Sequence, residues 1–332
     1  MPRTHFGIMF FGSLPYKTKQ FFFVLIKLSI VVGAFYFIYK KLATNENLDF
    51  YEFWSFLKEN DSFSAKNILF LFILTLFNWF FEILKWKTLV GYIKVISFKN
   101  ALEQSLGALT ASLFTPNRIG EYGAKAVYYQ ASKRKQVMLL NLLSNMMQMS
   151  ATVIFGCLGF IIMYSKYNIE INSFKVLRIL IIITLIGVFT LFGIRQKRFK
   201  IKGFSMEKLS AFFKNLPLKI HLLTFGFSIL RYFIFSFQFY FLLQLFGVNV
   251  SYYNAMIVIT SMYLLSSIIP SIFIFDVVIK GSVAVYLFSL VGVNEFTTLS
   301  IITLMWLLNF VIPSVFGSYY VLNFNLYKTE DH

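Results

Sequence analysis

The fold class read from this sequence is an all-α polytopic membrane protein, with about six full transmembrane helices and two re-entrant helical hairpins set out as an inverted internal repeat. Three observations predict it. Hydrophobic residues make up 58% of the 332-residue chain and charged residues only 14%, where soluble globular chains carry about a quarter charged. Long apolar runs alternate with short loops rich in Lys and Arg, as expected of loops kept on the cytoplasmic side. Two further apolar stretches are each interrupted by a proline at matching places.

The spans follow in order. Six segments are long enough to cross ~30 Å of hydrocarbon at ~1.5 Å per residue: Phe21–Tyr39, Ile68–Tyr92, Val137–Tyr164, Val176–Ile194, His221–Phe246 and Phe296–Leu322. The N-terminus precedes the first with Arg3, Lys17 and Lys19, and no small-residue cleavage site follows. It is therefore read as a retained helix and not a cleaved signal. Between the spans, Asn100–Gln130 and Asn254–Leu290 run apolar as far as Pro116 and Pro270 and then resume. Each arm covers about 24 Å as a helix, too little for an untilted crossing. Such a break inside a membrane must face protein or a water-filled cavity.

The repeat is the most informative feature. Ser97-Phe98-Lys99-Asn100-Ala101 leads to Pro116, and Ser251-Tyr252-Tyr253-Asn254-Ala255 leads to Pro270, in register at an offset of 154 that also carries Ser112 onto Ser266. One inserted residue later, Glu121 and Lys125 match Asp276 and Lys280. The chain is thus one integral membrane domain over 1–332, with a first half at 21–164 and a second at 176–322. The loop Lys40–Lys66 holds four basic and five acidic residues, whereas Arg195–Lys219 holds eight basic and one acidic. Placing basic loops inside puts both termini in the cytoplasm and inverts one half relative to the other. Within the basic loop at 195–220, Leu209, Phe212, Phe213 and Leu216 fall at helical spacing beside Lys208 and Lys214. They predict a short interfacial helix on the anionic leaflet.

Several function classes are excluded at this stage. The excess of 31 Lys+Arg over 14 Asp+Glu sits mainly in loops between spans, so nucleic acid is not an expected partner. Cys157 is the single cysteine and lies in an apolar run, and His5, His221 and His332 have no ligand spacing. No metal or cofactor is expected.

The candidate substrate-binding residues are the polar ones that hydrocarbon should reject. A charge at the bilayer centre costs roughly 2.5–3.5 kcal/mol on insertion scales, so a cluster needs partners or a purpose. In the first hairpin these are Asn117, Arg118, Glu121 and Lys125. Glu121 and Lys125 are four apart in the favourable order for an ion pair. That pairing is expected to leave Arg118 without a local counter-charge, suited to a phosphate or carboxylate near a half-helix N-terminus. Snorkelling to the interface is the bland alternative for Arg118. In the second hairpin Asp276 and Lys280 repeat the acid-to-base spacing, as a site or as a structural pair. Asn141, Ser144, Asn145, Gln148 and Thr152 form one polar stripe on an apolar helix, either cavity wall or interhelical glue. Glu82 and Arg231 are deep and without an evident partner, while Lys85 and Lys87 are expected to snorkel.

Pro116-Asn117-Arg118-Ile119-Gly120-Glu121 with Lys125 resembles the signature of the lysylphosphatidylglycerol synthase transmembrane-region family, and Ile269-Pro270 through Asp276, Lys280 and Gly281 resembles that family's second motif. The resemblance implies a flippase-like, stand-alone member in the cell membrane, the bacterial inner membrane, with membrane lipids as partners; it leaves a homo-oligomer open. It covers most of the chain in layout and is specific around the two hairpins. No cytosolic aminoacyl-transferase segment is recognised, so lysyl transfer is not carried over. The expected function is translocation of a lipid with a charged head group, with enzymatic chemistry left open. The alternatives are a membrane-embedded lipid-linked transferase and a non-transporting scaffold for a lipid-modifying enzyme.

Overall fold

The computed structural model describes residues 24–29, 31–33, 36, 39, 50–59, 63–113, 115, 118–167, 200–201, 204–268 and 276–325. Among them the chain is all-helical apart from a two-residue antiparallel pairing of Lys200–Ile201 with Phe204–Ser205. Four helices are long and apolar enough to cross a membrane: α2 (Ala65–Val90), α5 (Ala131–Tyr167), α7 (Leu218–Leu245) and α10 (Glu295–Asn323). They match four of the six expected spans. Phe21–Tyr39 is described only in part, and Val176–Ile194 lies outside the described residues.

Each proline-broken stretch is two helices. The first is α3 (Phe98–Ser112) and α4 (Gly120–Ala126). The second is α8 (Tyr252–Ile268) and α9 (Asp276–Ser289). With 7 residues α4 rises roughly 10 Å, about a third of the hydrocarbon thickness. The repeated Ser-x-x-Asn opening has a local cause. Ser97 Oγ accepts from the Asn100 backbone N–H at 3.1 Å and Ser251 Oγ from that of Asn254 at 3.4 Å, so both arms start on a serine cap.

The packing joins helices far apart in the chain. The first arm α3 lies along the C-terminal part of α10, while α8 lies along α5, and α2 packs lengthwise on α7. Both arm contacts depend on a glycine that lets backbones approach. A Cβ at Gly317 would collide with the Leu106 carbonyl oxygen and Thr110 Oγ1; one at Gly156 would collide with Leu264 and lie 3.1 Å from the Thr260 carbonyl oxygen. Leu106 and Thr110 carry onto Thr260 and Leu264 at the offset of 154.

Two amphipathic helices sit outside the spans. α1 (Phe50–Glu59) falls in the segment read as a loop; Phe53 is buried against Leu299, and the Phe56 ring stacks on Phe246 at 4.9 Å. α6 (Met206–Lys214) occupies the segment expected to lie on the leaflet. Its Phe212 and Phe213, with the buried Leu216 that follows, pack on the protein beside Trp86, Val90 and Ile96.

Candidate functional site

Six charged side chains from three helices and the turn of the first hairpin meet inside the bundle as two groups. In the first, on α2 and α7, Glu82 Oε2 accepts from Lys85 Nζ at 2.8 Å and also pairs with Arg231 Nη1. The expectation that Lys85 snorkels is overturned: it is 1% exposed, because a carboxylate one turn away compensates its charge better than a stretch to the interface would. Glu82 and Arg231, each without an evident partner in the sequence, are partners of one another across the α2–α7 contact.

Amides extend this group, and none of its side-chain atoms is buried without a partner among the described residues. Arg231 Nε donates to Asn78 Oδ1 at 3.1 Å and to the Asn78 carbonyl oxygen at 3.2 Å, and Nη1 donates to Gln148 Oε1 at 3.3 Å. Asn78 Nδ2 donates to Asn309 Oδ1 at 2.7 Å, Asn309 Nδ2 to Gln238 Oε1 at 2.8 Å, and Gln238 Nε2 to Thr75 Oγ1 at 2.9 Å. Asn309 sits in a π-helical turn, Leu307–Val311, and its carbonyl oxygen accepts from Trp79 Nε1 at 3.1 Å. Single π-turns inside α-helices are enriched at functional positions. Sequence reasoning missed Asn78, Gln238 and Asn309. Asn78, Glu82 and Lys85 fall at i, i+4 and i+7, and Arg231 and Gln238 at i and i+7, so helical spacing held that signal.

The second group lies at the break of the first hairpin. Thr115 Oγ1 donates to the Ser112 carbonyl oxygen at 2.7 Å and accepts from the Gly120 N–H at 3.0 Å, tying the end of α3 to the start of α4. In this tight turn Arg118 takes a left-handed φ of 55°, a conformation costing a non-glycine residue about 1–2 kcal/mol. Lys125 Nζ donates to Glu121 Oε1 at 2.7 Å and to Asn141 Oδ1 at 2.9 Å, and it lies 4.2 Å from the centre of the Trp86 ring. Trp86 Nε1 and Tyr129 Oη both donate to Gln104 Oε1, at 2.8 and 2.9 Å, which fixes the indole. Arg118 is not left without a counter-charge as expected. Its Nη2 lies 3.1 Å from Glu121 Oε2, because the carboxylate has one oxygen for each cation. The Arg118 side chain is 36% exposed and that of Lys125 1%.

The polar stripe on α5 joins the two groups. Asn141 accepts from Lys125, and two turns further on Gln148 accepts from Arg231. Between them Asn145 Nδ2 donates to Tyr122 Oη at 3.0 Å. Thr152 turns back to its own helix, donating to the Gln148 carbonyl oxygen. Lys125 also lies within coulombic reach of Glu82. The cluster therefore holds four cations on two carboxylates, a net charge of +2. Arg118 Nε, Asn141 Nδ2 and Ser144 Oγ are buried without a hydrogen-bond partner among the described residues. Each such group costs about 1–3 kcal/mol where nothing fills it.

The sequence-derived site is therefore brought together for Arg118, Glu121, Lys125, Asn145, Gln148, Glu82 and Arg231. Asn117 lies outside the described residues, and for Asp276 and Lys280 the side chains do too.

The family model described as the lysylphosphatidylglycerol synthase TM region matches residues 24–317. The chain belongs to this family. That span takes in both charged groups, both broken stretches and the π-turn. No curated protein and no solved structure matches the chain. Membership makes this a membrane protein linked to lipid handling.

Proposed function

We propose that this family member is a lipid translocase that passes a charged head group through a polar chamber between two inverted halves. The observation that carries the reading is a cluster of six charged side chains, net +2, on α2, α4, α7 and the turn of the first hairpin, with buried donors at its Arg118 end left without partners among the described residues. Intramembrane ionisable clusters mark substrate or ion paths, because an unused charge in hydrocarbon is costly. The strained turn at Arg118 adds to it, since strain persists where the surroundings hold it in place and is concentrated at ligand clamps and switches.

The broken stretches act as re-entrant hairpins at the midplane, where transporters of this plan place their sites. The inverted duplication is supported by the two serine caps at an offset of 154 and by glycine crossings that meet matching positions of the two first arms, Leu106 and Thr110 against Thr260 and Leu264. Arg118, Lys125 and Lys280 receive the anionic part of the lipid, with Asn145 and Gln148 along the wall and Glu121 and Asp276 balancing charge. Basic loops inside place both termini in the cytoplasm.

The scaffold reading draws on one observation: the Glu82 group is satisfied within the protein, as a structural lock would be. Reconstitution into liposomes with labelled lipids separates the two. The wild type is expected to speed leaflet exchange of a charged lipid, with Arg118→Ala and Glu121→Ala slowing it at least tenfold. Exchange at the rate of empty liposomes for every lipid tried would leave the scaffold.

A further inference from the structure

We infer that the Arg118–Glu121–Lys125 group is a receptor for an oxyanion, so that what it takes from a lipid is the phosphate and not a cationic portion of the head group. The inference rests on reading this group as the lipid site and fixes the sign of its ligand.

The argument is one of donors and acceptors. Arg and Lys side chains only donate hydrogen bonds. Lys125 needs acceptors, so Asn141 must turn Oδ1 towards it, at 2.9 Å, and that choice leaves Asn141 Nδ2 facing away without a partner. Ser144 lies one turn along α5, 1% exposed, and its hydroxyl is also unpartnered among the described residues. Arg118 Nε is the third such group, although Nη2 of the same guanidinium is engaged. The unfilled positions are thus an amide N–H, a guanidinium N–H and a hydroxyl, and all three can donate. A ligand that completes them must be rich in acceptors.

The acceptors of the same group are already engaged. Glu121 is its one carboxylate among the described residues, with Oε1 on Lys125 and Oε2 on Arg118. An incoming ammonium would have to share that carboxylate with two cations and would enter a cluster already at +2. An oxyanion lowers that charge and meets the free donors, since guanidinium and amide N–H groups suit phosphate oxygens. Arg118, at 36% side-chain exposure, is where the ligand would enter.

The test uses the purified full chain in neutral detergent, reading the thermal unfolding midpoint. The probes are phosphatidylglycerol, a phosphate-free glycerolipid bearing a trimethylammonium head group, and inorganic phosphate. A ligand that binds the folded state raises the midpoint. Phosphatidylglycerol is expected to raise it by several degrees in the wild type, by less than half as much in Ser144→Ala, and not at all in Arg118→Gln. The cationic lipid is expected to leave it unmoved. An equal rise with inorganic phosphate would uphold the oxyanion receptor and assign it to a free anion instead of a lipid. A rise with the cationic lipid, or an unchanged phosphatidylglycerol effect in both variants, would overturn the inference. Binding of the anionic lipid without leaflet exchange in liposomes would remove translocation and leave the receptor standing, so the two failures are distinct.

Discussion

The two charged groups use the same chemistry and differ in completeness. Each is a buried glutamate holding two cations, with an α5 amide accepting from one of them. Around Glu82 a chain of amides from α2, α5, α7 and the π-turn of α10 extends the network, and no atom of the group is buried without a partner among the described residues. Around Glu121 three donors stay unfilled, one cation reaches the surface, and the backbone is strained. Intramembrane charge alone therefore does not mark a ligand site. Charge joined to an unfinished hydrogen-bond inventory is the better sign, and on the proposed reading the Glu82 group holds the helices together while the Glu121 group binds.

The largest expected effect breaks the closed group. Glu82→Gln leaves Lys85 and Arg231 buried without a counter-charge, and loss of one partner of a buried pair costs about 3–5 kcal/mol. A marked fall in the unfolding midpoint in detergent is expected, with partial recovery in the double variant Glu82→Gln/Arg231→Gln. A midpoint equal to wild type would end the lock assignment.

Next come the crossings. Gly156→Leu and Gly317→Leu each force a side chain into a backbone contact, and overpacking of this kind costs about 1–3 kcal/mol. Comparable losses in the two variants are expected if the halves are equivalent. Destabilisation by one and not the other would sharpen the picture into a one-sided hinge.

Asn309→Ala removes the amide linking α2 to α7 and leaves Asn78 Nδ2 unpaired, a loss of about 1–3 kcal/mol in the same measurement. Arg118→Gln is expected to have the smallest effect on stability, below about 1 kcal/mol, since a pair this exposed is screened. It is nonetheless expected to slow leaflet exchange in liposomes. A variant that unfolds early and still exchanges lipid at the wild-type rate would reverse the roles given to the two groups.

Much of this was legible in the sequence, for identifiable reasons. Apolar length marks a span through a sum over many residues, so α2, α5, α7 and α10 were readable. The serine-asparagine openings were visible as a repeat before their capping role was. Glu82 and Arg231 could be singled out because charge in hydrocarbon is rare, while their pairing depends on how α2 lies on α7, a tertiary fact with 149 residues of chain between the partners. Arg118 was misread as unpaired because spacing alone counts one partner per carboxylate. The helix Phe50–Glu59 was missed because the segment, amphipathic as it is, sits among charges that read as a loop. Asn309 had no local signal, as the π-turn that presents it arises from packing.

The most direct test of the division between the two groups is cysteine accessibility. In a Cys157→Ser background, Arg118→Cys and Asn78→Cys are reconstituted separately and exposed to a membrane-impermeant, negatively charged thiol reagent. The account expects modification at 118, slowed by phosphatidylglycerol relative to neutral lipid, and none at 78. Labelling at 78 as fast as at 118, or no labelling at 118, would contradict it.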